Sequence, residues 1–202
     1  YKNSLDAKIM AAINNFIQTE NSKKPEDCEK KLQIGFHHIT TAENADIDKF
    51  EQEIVIGTGS TCLKATSSLA ILNTLFSEKF LLATVKGVTG IQVDKQKNIV
   101  CQQGSVFPFG DSNFCFKMLI AGDENQLVVR ASHFKNNQPA SYFVYFQESL
   151  VAIKKIKENV FRVSTYNVGR GPTIPFHSIA LKVLQGEQLK YFDKLNSYFA
   201  SP

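Results

Sequence analysis

The sequence predicts an α+β domain in which a run of antiparallel strands is closed by a long C-terminal helix. Apolar or alternating segments recur between residues 80 and 167, separated by turn-forming pairs such as Gly122-Asp123 and Asn136-Asn137. Beyond Gly169-Arg170-Gly171-Pro172, apolar residues follow helical spacing from Phe176 to Phe199. Short strands that follow one another with short turns between them are typical of an antiparallel meander.

A second amphipathic helix is predicted near the N-terminus, over residues 4–20, with Ser4 as its cap. Its apolar residues fall on one face: Leu5, Ile9, Ala12, Ile13, Phe16 and Ile17. A Lys-rich loop over 21–31 and an alternating strand over 32–39 follow. We expect residues 1–52 to pack as an extension on a main domain formed by residues 53–202.

The segment 53–76 is expected to form a strand, a tight turn and a helix. Glu53-Ile54-Val55-Ile56 is the strand, Gly57-Thr58-Gly59-Ser60 the turn, and residues 61–76 the helix. Glycines before a helix N-terminus can bind phosphate. The position for a third glycine is Cys62, and no βαβ alternation follows, so a simple turn is the preferred interpretation.

The remaining strands are expected between residues 81 and 167. They are predicted at residues 81–85, 91–93, 98–102, 105–109, 114–121, 127–134, 141–147, 150–156 and 160–167.

Charge and composition narrow the function classes. The net charge is +4, and the lysines are dispersed rather than concentrated on one segment, which favours solvated side chains over a nucleic-acid surface. No stretch approaches the ~20 apolar residues of a transmembrane helix. Neither a metal site nor a cofactor is expected.

Four cysteines are present, at 28, 62, 101 and 115, with no C-x-x-C pair and no zinc-ligand spacing. Buried free thiols are the preferred interpretation over disulfides. The chain begins with Tyr1 rather than Met, which suggests a processed or cut N-terminus, and it has no Asn-x-Ser/Thr acceptor. A cytoplasmic location is favoured over secretion.

The aromatic residues are the most suggestive feature. The chain has sixteen Phe, six Tyr and no Trp, and many of them fall in the predicted strands. Such residues fill a core, and they also line ligand cavities together with a few polar groups. Arg130 and Arg162 interrupt apolar strands, so each needs a partner or solvent. They either anchor the polar end of a ligand inside the sheet or lie on its solvent face.

No catalytic arrangement emerges from local spacing. His37 and His38 are neighbours in a strand and therefore point to opposite faces, so they cannot form a metal pair. A triad assembled in space remains open.

Three segments resemble a known family. Ile56-Gly57-Thr58-Gly59-Ser60 is similar to a Gly-x-Gly helix start, and Val160–Ser164 with Gly169–Pro172 is similar to a last strand and an Arg-Pro turn. Leu184-Gln185, with Tyr191 and Leu195, resembles a final helix. These features are similar to the plant and bacterial domain-of-unknown-function family nineteen-ninety, within the START-like (helix-grip) superfamily. The resemblance covers residues 54–199 and implies a curved antiparallel sheet wrapped around the C-terminal helix, enclosing a hydrophobic cavity.

We therefore expect a binding protein for a small hydrophobic or amphipathic ligand such as a lipid, sterol, polyketide or pigment. The predicted ligand-binding residues are Phe114, Phe116, Arg130, His133, Tyr142, Tyr145, Arg162, Tyr166, Phe176 and Val183. One alternative is an enzyme on the same scaffold, a cyclase, isomerase or hydrolase that uses His38, His133 and Tyr145. The other is a structural or interaction subunit with a filled core. The oligomeric state stays open.

Overall fold

The computed structural model describes residues 2–22, 33–41, 52–84, 88–106, 110–134, 146–172 and 177–200. The elements in chain order are α1 (Lys2–Ser22), β1 (Gln33–Thr41), β2 (Gln52–Lys64), α2 (Ser68–Leu75), α3 (Glu78–Thr84), β3 (Val88–Asp94), β4 (Ile99–Val106), β5 (Gly110–Gly122), β6 (Gln126–Phe134), β7 (Phe146–Lys157), β8 (Val160–Pro172) and α4 (His177–Phe199).

The strands of the described residues form one eight-stranded sheet in the order β1-β2-β8-β7-β6-β5-β4-β3. Every neighbouring pair is antiparallel. From β3 to β8 each strand pairs with the next one along the chain, as the meander pattern predicts. β2 pairs with β8, and the chain then passes through α2 and α3 to β3 at the opposite edge of the sheet.

The two faces of the sheet carry different helices. Phe192 of α4 lies against Gly59 of β2, and we call this side the inner face. Glu20 of α1 contacts Arg162 of β8, and we call that side the outer face. Because side chains alternate along a strand and directly paired residues share a face, the register assigns the other strand positions to one face or the other.

The hydrophobic core lies on the inner face. Apolar residues of the sheet pack there against α4 and against the two short helices α2 and α3. Ile71 of α2, Phe80 of α3 and Leu195 of α4 are fully buried in this cluster. Ser67 caps α2 by accepting a hydrogen bond from the Ala70 backbone N–H, which fixes where the chain leaves β2 and turns over the inner face.

The predicted turn and helix after Ile56 are wrong. The segment Gly57-Thr58-Gly59-Ser60 lies within β2, which continues to Lys64 and pairs with β8 along its whole length. Helix starts only at Ser68. The thirteen-residue pairing with β8 connects residues about a hundred positions apart, and it overrides the local turn preference of the two glycines. The phosphate-binding interpretation of these glycines has no helix N-terminus to rest on.

Several other boundaries differ from the prediction. The predicted strands 98–102 and 105–109 meet in one strand, β4, and β7 runs without a break through residues 148 and 149. Residues 81–84 belong to α3 rather than to a strand. The segment Gly169–Pro172 continues β8 opposite Gln52–Val55 instead of ending the sheet. The final helix is confirmed, and it continues through Gly186 without a break.

The expectation of free thiols is also wrong for Cys101 and Cys115. The β4–β5 register places them directly opposite each other, and they form a disulfide. Cys62 is disulfide-bonded as well, while Cys28 lies outside the described residues. Because disulfides persist mainly in oxidising compartments, these bonds do not support the cytoplasmic expectation.

Candidate functional site

The inner face of the sheet is mostly apolar and buries no charged side chain among the described residues. Among the described residues, ten hydrophobic strand residues on this face are buried: Leu63, Ile91, Val100, Phe116, Met118, Val129, Val151, Ile153, Phe161 and Val163. Thr61 and Thr165 are the buried polar residues there, and neither carries a charge. Such a wall gives a hydrophobic ligand dispersion contacts and presents no buried charge that it would have to leave unpaired.

Several inner-face residues retain accessible surface although they pack against this core. Val93 of β3, Leu127 and Ala131 of β6 and Tyr191 of α4 are only partly buried. They lie on the same side of the sheet as the fully buried Val129. These four side chains are therefore not fully covered by their neighbours.

One edge of α4 is fixed tightly to β2. Gly59 has no side chain, and a Cβ atom there would lie 2.5 Å from Phe192 Cε2 and 2.7 Å from Gln188 Nε2. The helix can approach this closely because the glycine leaves room for the Phe192 ring.

Two polar contacts flank the Gly59 approach. The Asn196 amide donates to Thr61 Oγ1 at 3.2 Å, and the Gln188 amide donates to Thr165 Oγ1 at 3.4 Å. Both threonines are buried on the inner face. The polar groups along this edge are thus satisfied within the protein and are not left for a ligand.

The opposite edge of α4 packs on α3 through aromatic rings. Tyr191 and Tyr198 both meet Phe80 edge-on, with ring centroids 5.3 and 5.6 Å apart. The Tyr198 ring lies 5.9 Å from the ammonium groups of both Lys79 and Lys194, which places it near the surface. Tyr191 lies deeper, and desolvation by burial raises the pKa of its hydroxyl well above the ordinary value.

Arg162 lies on the outer face, where it is buried beneath α1. Its Nε is 3.3 Å from Glu20 Oε2, and its Nη2 donates to Ser60 Oγ at 2.8 Å. Ser164 donates to the same Glu20 carboxylate. Two charges and two hydroxyls therefore form one buried network that attaches the end of α1 to β2 and β8.

Arg130 also lies on the outer face. Its Nε and Nη2 donate to the two carboxylate oxygens of Glu148 at 2.7 and 2.5 Å, and Ser132 donates to Glu148 at 3.1 Å. These hydrogen bonds raise the pKa of Arg130. The two-pronged geometry is the strong form of an arginine–carboxylate pair, so the guanidinium is engaged within the protein.

Tyr166 completes the outer-face set. It is buried there, with its ring centroid 5.3 Å from that of Phe16 of α1, and desolvation raises the pKa of its hydroxyl. The expectation that Arg130, Arg162 and Tyr166 anchor a ligand beneath α4 is therefore wrong. All three share the strand parity of the outer face, and α1 rather than α4 covers that side at Arg162 and Tyr166.

The other expected residues divide into three groups. Phe116 is buried on the inner face, as a cavity-wall residue requires. The structure describes only the backbone at Phe114, His133, Val183 and His38. Tyr142, Tyr145 and Phe176 lie outside the described residues. Their roles as ligand-binding residues, and the enzyme alternative that uses His38, His133 and Tyr145, stay predictions.

Glu20 and Tyr191 belong to these arrangements, and neither was predicted as a site residue from the sequence. Glu20 lies four positions after Phe16, so the helical spacing that marks α1 places it on the buried face. Tyr191 lies seven positions after Leu184 and four before Leu195, on the apolar stripe of α4. The spacing could have identified both positions, but not the partner of either side chain.

Comparison with solved structures gives extended matches at low sequence identity. A STAR-related lipid transfer protein from Xanthomonas axonopodis (fragment 25–204) superposes with a TM-score of 0.55 and 15% identity, over 83% of this chain and 99% of that one. The human StarD13 (DLC2) lipid transfer and protein localization domain matches with a TM-score of 0.54 and 11% identity, over 94% and 98%. Human StAR-related lipid transfer protein 5 matches with 0.53 and 10%, over 97% of both chains.

The chain has the START-like, helix-grip fold. A curled antiparallel sheet, a C-terminal helix across its inner face and an N-terminal helix are the shared features. No family model matches the sequence, and no curated protein matches it. The likeness to family nineteen-ninety therefore stays a prediction. None of the helices within the described ranges combines the length and the apolar character that crossing a bilayer requires.

Proposed function

We propose that this START-like chain binds a small hydrophobic or amphipathic ligand between the inner face of its sheet and α4. The observation that carries the proposal is the contrast between the two faces. The buried charges Glu148 and Arg162 lie on the outer face, whereas the described strand residues buried on the inner face are uncharged and mostly apolar. Inner-face residues such as Leu127 and Ala131 keep accessible surface beside that apolar wall.

The comparisons support the same proposal at a coarse level. Several solved structures of this fold are named as lipid transfer proteins or domains. Since fold alone does not determine function, the argument rests on the chemistry of the inner face. Hydrophobic ligands commonly bind in concave, mostly apolar sites of this kind.

A bound ligand should be detectable directly. Organic extraction of the purified protein followed by mass spectrometry should recover an apolar or amphipathic molecule that the heat-denatured, refolded protein lacks. The native protein should also bind 12-(1-pyrenyl)dodecanol, a fluorescent long-chain alcohol. Failure of both measurements would exclude the proposed function for ligands of this class.

A matched pair of variants locates the site. Ala131 is a partly buried inner-face residue, whereas Ala121 is exposed on β5. Ala131→Phe places a large ring where the ligand is proposed to lie, so we expect pyrenyldodecanol affinity to fall at least tenfold. Ala121→Phe introduces the same ring at the surface and should leave the affinity within twofold of the wild type. Equal affinities for both variants would place binding elsewhere on the molecule.

A further inference from the structure

Cys62 lies on the outer face of β2 and takes part in a disulfide. It pairs directly with Arg162 of β8, and paired residues share a face. The chain has four cysteines, and two of them, Cys101 and Cys115, are bonded to each other. Within one chain, the remaining cysteine that can be the partner of Cys62 is therefore Cys28.

The chain leaves α1 close to Cys62. Glu20, near the end of this helix, has its Oε2 atom 3.3 Å from Nε of Arg162. Because Arg162 is the cross-strand neighbour of Cys62, the end of α1 lies over this part of the outer face. Cys28 comes six positions after the end of the helix at Ser22, and six extended residues span up to roughly 20 Å.

The chain also enters β1 close to Cys62. β1 begins at Gln33, which pairs with Ser60, two positions before Cys62 on the adjacent strand. Cys28 comes five positions before Gln33, and five extended residues span up to roughly 17 Å. The chain on either side of the segment 23–32 is thus anchored near Cys62, and the length of the segment allows Cys28 to reach it.

The charges near the two cysteines are complementary. Three acidic side chains flank the first cysteine in Glu26-Asp27-Cys28-Glu29, and the lysines of this segment lie towards its two ends. On the outer face, the exposed Lys64 comes two positions after Cys62. Val160 pairs with both Lys64 and Lys157, so a second exposed lysine lies in the same row of the sheet. Complementary charges favour one orientation of two contacting segments.

We propose that Cys28 and Cys62 form a disulfide that fastens the segment 23–32 to the outer face of β2. The bond closes the junction between α1, β1 and the rest of the sheet. The N-terminal extension is then fixed to the domain covalently as well as through Glu20 and Arg162. Such a bond forms in an oxidising compartment, and the oxidant is a small disulfide such as oxidised glutathione.

The bond forms by thiol–disulfide exchange. The thiolate of one cysteine attacks a sulfur of the small disulfide and releases one thiol, and the thiolate of the other cysteine then attacks the mixed disulfide and releases the second. The two Sγ atoms lose two electrons in all, and the small disulfide gains both, together with the two protons of the cysteines. Dithiothreitol reverses the reaction and closes to its own cyclic disulfide.

Non-reducing peptide mapping of the wild-type protein tests the pairing without any variant. The protein is produced in the bacterial periplasm, treated with iodoacetamide and digested with trypsin, which does not cleave before proline. Cys28 then falls in peptide 24–30 and Cys62 in peptide 50–64, while the other two cysteines share peptide 98–117. Peptides 24–30 and 50–64 should appear as one species that dithiothreitol separates. A peptide 50–64 that is linked to itself, linked to 98–117 or alkylated would overturn the proposal.

A double-mutant cycle tests the bond by its energetics. Cys28→Ser, Cys62→Ser and the double variant each remove the same bond, so all three should lower the urea midpoint by the same amount. The double variant leaves no unpaired thiol and therefore controls for mispairing. Losses that add in the double variant would show that the two cysteines act independently and are not bonded.

Hydrogen exchange tests whether the bond fastens the N-terminal extension. In the variant that carries both Cys28→Ser and Cys62→Ser, amide exchange in α1 should accelerate at least about tenfold, because the helix then opens without unfolding the sheet. The variant with both Cys101→Ser and Cys115→Ser removes the disulfide between β4 and β5 and should leave exchange in α1 within twofold of the wild type. Equal exchange in α1 in the two variants would mean that the bond does not hold the extension.

Discussion

The Glu20 carboxylate is buried between α1 and the outer face of the sheet. Its side chain is 9% exposed, and that of Arg162 is 3% exposed. Removing one member of such a pair leaves the other charge in a desolvated site, which typically costs about 3–5 kcal/mol. We expect Glu20→Ala to lower the free energy of unfolding by about this amount, measured by urea denaturation with far-UV circular dichroism.

An exposed pair in α4 provides the control for Glu20. Glu187 and Lys190 form a surface ion pair at 3.1 Å, in which the lysine is 72% exposed. Surface pairs contribute little because water screens them, so Glu187→Ala should change the free energy of unfolding by less than about 0.5 kcal/mol. If Glu20→Ala is as mild as Glu187→Ala, the buried network does not hold α1 on the sheet.

The sequence indicated that Arg130 and Arg162 each require a polar partner, but not on which face of the sheet they lie. An arginine in an apolar strand requires a partner, and both obtained one: Glu148 for Arg130 and Glu20 for Arg162. Strand parity alone cannot distinguish the inner from the outer face. The decision depends on which helix covers each face, and α1 reaches β8 across more than a hundred residues of sequence.

At the scale of elements, the position of α4 depends on a glycine in β2. Gly59→Ala would place its Cβ against the ring of Phe192, which is fully buried. Overpacking of this kind costs about 1–3 kcal/mol. We expect Gly59→Ala to lower the melting temperature and the free energy of unfolding.

The same substitution in α4 should act in the opposite direction. A Cβ at Gly186 would meet nothing within 4 Å, and alanine favours helix over glycine by up to about 1 kcal/mol. Gly186→Ala should therefore stabilise the protein, in the same urea titration. If both substitutions shift stability in the same direction, the contact between Gly59 and Phe192 does not determine how α4 lies on the sheet.

Elements defined by local patterns were predicted well, and those defined by distant pairing were not. The spacing of apolar residues identified α1, α4 and the consecutive strands from β5 to β8 because each has its period within its own segment. β2 was cut short because Gly57 and Gly59 are typical turn residues. Only the pairing with β8 shows that these glycines lie mid-strand, where one of them accommodates a ring of α4.

At the scale of the whole molecule, the two faces of one sheet have separate roles. The outer face holds α1 through a buried network of charges and hydroxyls, and the inner face holds α4 through aromatic and aliphatic packing. The sequence predicted this layout of helix, sheet and helix through its resemblance to the START-like fold. It could not predict that the arginines and Tyr166 belong to the structural face, since that division follows from tertiary packing.

The desolvation of the Tyr191 hydroxyl should be visible in the stability of the whole protein at alkaline pH. Below pH ~10, the ordinary pKa of tyrosine, the hydroxyl is protonated in both the folded and the unfolded chain. Above it the unfolded chain loses the proton first, because burial raises the folded pKa. The folded state then binds more protons, so stability falls by up to about 1.4 kcal/mol per pH unit from this one group. Tyr191→Phe should remove this contribution and flatten the decline between pH 10 and 11.5 in urea titrations, while Tyr198→Phe should retain it. Parallel curves for the wild type and Tyr191→Phe would mean that burial does not raise the pKa of the Tyr191 hydroxyl.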